Sequence, residues 1–537
     1  MLKDRVNRVA FSSGIAPSES EYFEIIYAYE KTTLWFLLLF ITRTAISMAN
    51  GIQMTYYLKI NKIEGICYIP ELRNIKWNFQ QSIQIMKRYG SKNLSEEVGV
   101  CEYLDYDYKA FAQLNYDEAL QLKQNTATPG VKNCMRNAIR LSENTTRYRN
   151  LDIPFCHSSI LGYRMFLLKN LSFMIGSIVF GILGDVFGRK KISVIVAILW
   201  TLSTVCLSSL PDFGASEIFF VATNCFNKSL DLLTYINLLE ISPKKIRFFA
   251  VLTFYGRIVV FVFLTRFSDL LNFDWNILLH ICFCFALVSL FHCWYIPESP
   301  RWLINHSKYK DALEVMKEII GYVPNEILFE DEGTDTIIYW DIFINSFRYL
   351  RKRKIKTMTI MILFSAVVGF IEETQVLRIL QSKIDARGAI VVSTSRIVSF
   401  FYAMMLFGAF GKKYGLFCTL MSITFVSYVV ICFRDSSSNI DIRVNAFLLM
   451  TTCSAEMLVY AYLPDLFPTF LRCTTLGMIF FFSSIARIIT VELIDWTEVM
   501  RTNVYIIFFV ISLPGFFILK LPDTTLADLL TTRLFRV

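Results

Sequence analysis

Histidine is scarce in this chain: four occur in 537 residues, at His157, His280, His292 and His306. No pairing among them resembles a metal site or a catalytic triad, which argues against an enzyme. Charge is thin as well, at 18% of residues. No Gly-Lys-Ser/Thr string follows Gly184 or Gly188, so these glycines are not a phosphate-binding loop. The cysteines lack metal-ligand spacing and read mostly as buried hydrophobes. About 30 polar residues precede the first apolar run, which is not the pattern of a cleavable signal. No cofactor and no metal is indicated.

What the chain has in excess is apolar surface. Hydrophobic residues make up 54%, phenylalanine alone occurs 48 times, and the mean hydropathy is +0.46. Such a chain buries its apolar surface in lipid rather than in one oversized core. A crossing helix needs about 20 apolar residues. The sequence predicts twelve spans, near residues 32–55, 161–183, 191–210, 215–239, 248–270, 275–296, 356–378, 388–410, 415–433, 442–463, 474–494 and 502–520. The expected class is an all-α membrane protein.

A net charge of +9 raises the question of nucleic acid, but the cations flank spans instead of forming one patch. Arg189, Lys190 and Lys191 follow span 2, and Lys244, Lys245 and Arg247 follow span 4. A run from Arg351 to Lys356 precedes span 7. The opposite loops are poorer in cations and carry Asp212, Glu217, Asp269 and Asp274. The positive-inside rule then predicts both termini, 1–31 and 521–537, in the cytoplasm.

On that orientation, the polar segment 56–160 lies outside. It contains Cys67, Cys101, Cys134 and Cys156, enough for two disulfides in an oxidising compartment, with three possible connectivities. Asn93 and Asn144 open glycan acceptor triplets in the same segment. A second interruption, 297–355, divides the spans six and six. It is expected to be a cytoplasmic linker between an N-terminal bundle (32–296) and a C-terminal bundle (356–520).

Several strings at the predicted cytoplasmic ends carry a resemblance. Gly181-Ile182-Leu183-Gly184-Asp185-Val186-Phe187-Gly188-Arg189-Lys190-Lys191 resembles the loop between helices 2 and 3 of major facilitator transporters. Pro297-Glu298-Ser299-Pro300-Arg301-Trp302-Leu303 resembles the signature after helix 6 of sugar-porter-like members. Glu240 with Arg247, and Asp465-Leu466-Phe467-Pro468-Thr469 with Arg472, resemble two further elements of the organic cation, anion and carnitine transporters. The large cysteine-bearing outer loop is similar to that family's layout. Gly411-Lys412-Lys413-Tyr414-Gly415 looks like a degraded second copy of the opening loop, without its acid. The resemblance implies two six-helix bundles, substrate at the midplane between them, and alternating access. It also implies that Gly184, Asp185, Gly188, Arg189, Glu240, Arg247, Glu298, Arg301, Asp465 and Arg472 serve gating.

Ionisable residues at bilayer depth are costly and need a reason. Lys228 and Asp231, three apart in span 4, can neutralise one another. Glu372 and Glu373 fall about 24 Å along span 7, which predicts a place near the outer interface. Arg43 and Arg266 can snorkel or pair. Arg396 and Arg487 differ, because each sits mid-span and offers a planar fork to a carboxylate, sulfate or phosphate. By resemblance they occupy places where organic anion transporters carry cavity cations. Glu456 is either a partner of one arginine or a cation or proton site. Substrate binding is therefore assigned to Arg396, Arg487 and Glu456. The expected function is transport of small organic ions, with anions favoured. Organic cations or zwitterions, and a non-transporting receptor-like or scaffold protein, are the alternatives. The expected partners are the organic ion, membrane lipid and a possible counter-ion or proton, with no nucleic acid. The expected location is the plasma membrane, as a multi-pass protein.

Overall fold

A computed structural model describes residues 33–60, 65–67, 102–111, 113–125, 131–133, 137–142, 145–151, 158–209, 213–242, 253–255, 275–306, 308–320, 350–382, 386–433, 438–499 and 504–521, with a few isolated positions between them. Arg247, Cys101, Cys134, Cys156, Asn93, Asn144 and most of predicted span 5, with Arg257 and Arg266, lie outside the described residues.

The first helix, α1, runs Thr33–Ile60. The segment after it holds short elements: β1 Gly65–Cys67, β2 Glu102–Leu104, α2 Tyr108–Phe111, α3 Tyr116–Asn125, β3 Val131–Asn133, β4 Asn137–Ser142 and β5 Thr145–Leu151. They form an antiparallel β1-β4-β5 sheet and a β2-β3 ribbon. In that sheet Cys67 stands opposite Asn137.

The helical body follows: α4 Ser158–Phe187, α5 Arg189–Ser209, α6 Phe213–Ile241 and α7 Trp275–Tyr295. Two short helices, α8 Pro300–Asn305 and α9 Tyr309–Ile320, occupy the linker. The second half comprises α10 Ile355–Ser382, α11 Ala386–Phe433, α12 Ser438–Leu466, α13 Arg472–Val499 and α14 Val504–Ser512, which continues as a 3₁₀ turn, Leu513–Lys520. Six stretches among the described residues are long and apolar enough to cross a membrane. One of them, Phe166–Phe187, has 22 residues; at 1.5 Å per residue that matches a hydrocarbon core of about 30 Å. Helix α11 is two spans in one, broken at Gly411 (φ 74°), between the predicted spans 388–410 and 415–433.

The most buried helices are α6 and α12. Every residue from Asn227 to Ser242 is buried, as is every residue from Thr451 to Pro464. The two helices meet directly, with the Tyr235 hydroxyl donating to the Tyr460 carbonyl at 2.8 Å. By contrast, Ile195 and Leu202 of α5 and Phe401 and Met405 of α11 are exposed, as lipid-facing side chains should be.

A second contact between the halves, α4 against α13, depends on small residues. A Cβ on Gly181 would lie 2.8 Å from the Cys473 carbonyl oxygen, and one on Gly477 would press on the Ser177 backbone. Ser177, Gly181 and Asp185 recur every four residues along one face of α4. Such a stripe lets two backbones approach where lipid supplies no hydrophobic drive for association.

Candidate functional site

At the end of the body that carries the basic residues, one residue joins α4 to α5. Gly188 has φ 108°, and a Cβ there would sit 2.6 Å from Glu298 Oε2, so glycine is required both by backbone conformation and by space. Asp185, one turn earlier, reaches across to the other half. Its Oδ2 accepts from the Thr474 backbone N–H (2.7 Å) and hydroxyl (2.8 Å), and its Oδ1 accepts from the Cys473 N–H at 3.3 Å. A carboxylate therefore caps the positive N-terminal end of α13.

Arg189 binds the same neighbourhood from the other side. Its guanidinium pairs with Asp185 (3.1 Å) and with Glu240 (3.4 Å), and it donates to the Thr469 carbonyl. Glu240 also takes Arg472 at 3.3 Å, while Arg472 Nε donates to the Pro464 carbonyl at 2.8 Å. Glu298 caps the start of α5, accepting from the Arg189 N–H (2.9 Å) and the Lys190 N–H (3.1 Å). Burial pushes its carboxyl above the usual range, against those backbone donors and the Arg189 charge. Trp302 Nε1 donates to the Asp185 carbonyl at 2.9 Å, and the Ser299 hydroxyl caps α8. Nine of the ten expected gating residues thus fall at this end. Most form one junction; Arg301 is half-buried on α8, and Gly184 packs under Leu233.

The second half repeats part of this design. Lys412 follows the positive-φ Gly411 as Arg189 follows Gly188, and it pairs with Asp465 of α12 as Arg189 pairs with Glu240. Three residues before the turn, however, the first half has Asp185 and the second has Gly408, with open space around it. The missing acid noted in the sequence is therefore the counterpart of Asp185.

Deeper in the body, the three expected substrate residues converge, together with a fourth. Arg396 of α11 and Arg487 of α13 each pair at 2.9 Å with Glu372 of α10, and Arg487 also pairs at 3.2 Å with Glu456 of α12. Two guanidiniums and two carboxylates on four helices balance in charge. Glu372, which the sequence reading set aside as a residue near the outer interface, is only 3% exposed and links both arginines. The direction in which its side chain points was not legible in the sequence.

The first half contributes its own charges. Arg43 of α1 pairs with Asp231 of α6 at 2.6 Å, and Lys228 approaches the same carboxylate at 3.8 Å. The expected Lys228–Asp231 pair is thus present as the weaker of two. Lys228 also stands over the Phe480 ring of α13 at 3.9 Å. Aromatic rings join the two sets of charges. Arg43 lies over Phe254 (4.9 Å), Phe254 packs on Tyr460 (5.1 Å), and the Tyr460 hydroxyl donates to Glu456.

Residues 105–529 match the family model described as "Sugar (and other) transporter". The chain is 24% identical over 452 residues to the organic cation transporter protein of Drosophila melanogaster, covering 79% of each. It is 25% identical over 323 residues to solute carrier family 22 member 1 of Bos taurus, covering 58% of this chain and 55% of the relative. Its fold is similar to that of the proton:xylose symporter XylE (TM-score 0.52, 15% identity, covering 90% of this chain and 96% of that one). It is also similar to the human organic anion transporter MFSD10 (TM-score 0.51, 10% identity, covering 90% and 98%). These two structures share the fold of paired six-helix bundles. With the family model matched over most of its length, this chain belongs to the sugar and other transporter family of the major facilitator superfamily.

Proposed function

We propose that the protein carries small organic ions across the plasma membrane by alternating access, with anions as the preferred substrates. The basic end faces the cytoplasm, and the junction around Asp185 and Arg189 is the latch that holds that end shut. Substrate meets the buried layer of charges between the bundles. The observation that carries the reading is the position of Arg487: it bridges Glu372 and Glu456, and at 16% its side chain is the least buried of the four. An incoming carboxylate or sulfate can replace Glu456 on that guanidinium without leaving Arg396 unpaired, since Glu372 stays on Arg396 and the substrate anion supplies the charge that Glu456 gives up.

A second reading has a specific observation behind it. Glu456 sits against Tyr460, within an aromatic layer that includes Phe254 and Phe480, and a carboxylate beside rings suits an organic cation. The name of the Drosophila relative, organic cation transporter protein, points the same way. Uptake of labelled organic anions and cations into proteoliposomes separates the two. Anion uptake abolished by Arg487→Gln supports the first reading. Cation uptake abolished by Glu456→Gln, with Arg487→Gln active, replaces it with the second. Uptake of neither class overturns both.

A further inference from the structure

A groove of about 550 Å³ runs along the outside of the second half, between α10 and the segment 504–520. Its α10 wall is the stripe Lys356, Thr359, Ile360, Leu363 and Val367, four-residue repeats on one helix face. From Ile355 to Val367 that wall is about 18 Å long, close to the depth of one leaflet. The facing wall lacks helical regularity: Pro514 ends α14, and the chain continues as a 3₁₀ turn.

The groove is apolar inside and basic at its mouth. Its two inner hydroxyls are already engaged, Thr359 with the Ile355 carbonyl (2.9 Å) and Ser512 with the Phe509 carbonyl (3.0 Å) and Thr424 (3.0 Å). Both hydroxyls spend their one donor on the protein, so a polar molecule would find only acceptor lone pairs there. At the basic end, Lys356 and Lys520 are both exposed, and Lys520 lies over the Phe517 ring at 4.8 Å, which holds its ammonium at the rim. Arg351 and Lys352, also exposed, lie just beyond. No carboxylate lines the groove.

We propose that this groove holds an anionic phospholipid, one acyl chain along the α10 stripe and the net-negative headgroup between Lys356 and Lys520. A chain-shaped apolar slot closed at one end by two cations is complementary to that amphiphile. The site lies wholly within the second half, so it does not depend on the transport reading. The proposed orientation decides only which leaflet supplies the lipid.

The test uses the purified full-length protein in detergent, with dioleoyl-phosphatidylserine and dioleoyl-phosphatidylcholine compared by native mass spectrometry. Each cation near an anionic headgroup is worth roughly fivefold, so retention should favour phosphatidylserine by on the order of 25-fold at low salt and less as salt rises. Lys356→Ala with Lys520→Ala should bring the two lipids level, and Leu363→Trp should displace both. The lysines are exposed, so that pair of changes tests the site even if the tryptophan variant misfolds. Equal retention of the two lipids by the unaltered protein would overturn the proposal. So would competition by water-soluble glycerophosphoserine at lipid concentrations, which would mean that the headgroup binds without its acyl chains. A several-fold gain in retention on deleting 522–537 would assign the groove to the chain's own tail instead.

Discussion

Asp185 and Thr474, 289 residues apart, are joined by two hydrogen bonds to one carboxylate oxygen, at 2.7 and 2.8 Å. The first half thereby holds the N-terminal end of a second-half helix. A charge-assisted bond of this kind is worth about 1.5–3 kcal/mol. Asp185→Ala should therefore lower turnover by on the order of tenfold or more, with substrate affinity nearly unchanged. Transport kinetics in proteoliposomes check this; a change confined to affinity would show that the carboxylate is not a latch.

The two positive-φ glycines differ in their surroundings. Gly188→Ala meets both an unfavourable backbone and the Glu298 carboxylate, whereas Gly411→Ala meets only the backbone, with nothing within 4 Å. The backbone term alone is about 1–2 kcal/mol. Thermal melting of the purified variants should place Gly188→Ala clearly below Gly411→Ala, and equal melting temperatures would refute the assignment of Glu298 to that position.

Glu372 bridges two buried guanidiniums. Glu372→Gln should cost about 3–5 kcal/mol, the usual penalty for stranding a buried charge. Adding Arg396→Met should recover part of that loss, because one of the stranded cations is then removed. Additive losses in this double-mutant cycle would mean that the two residues do not interact in solution.

His306 stacks on Trp302 with ring centroids 4.1 Å apart, and its Nδ1 lies 3.0 Å from the Trp302 carbonyl. Burial lowers its pKa from 6.5 to about 4. Below pH 6.5 the unfolded chain binds a proton that the folded chain refuses, so the stability that His306 contributes is complete above pH 6.5. It is lost as pH falls toward about 4. His306→Gln should flatten the fall in melting temperature across that window; an unchanged slope would place the acid sensitivity elsewhere.

The elements most legible in the sequence were those encoded locally. Span positions follow from apolar length, and the turn at Gly188 follows from a short motif. Arg396 and Arg487 stood out because a charge in an apolar run has few bland explanations. What the sequence hid were partners far away in the chain. Arg43 meets Asp231 across 188 residues, and Glu372 meets Arg487 across 115. Helical periodicity places each side chain on a face of its own helix, but which helix comes to that face is decided by tertiary packing. The approach of α4 to α13 was similarly hidden: Gly181 and Gly477 are ordinary helical glycines until the opposing backbone is in place.

That seam has a bearing on how the halves come apart. Where Gly181 faces Cys473 and Gly477 faces Ser177, contact is largely main chain on main chain, with few rotamers to freeze on docking or release on parting. In the proposed alternating-access cycle this surface serves as a smooth bearing. The free-energy barrier to opening then arises in the charged groups at its end, and a carrier built this way can be retuned in speed by changing a few polar residues while its sliding surface stays untouched.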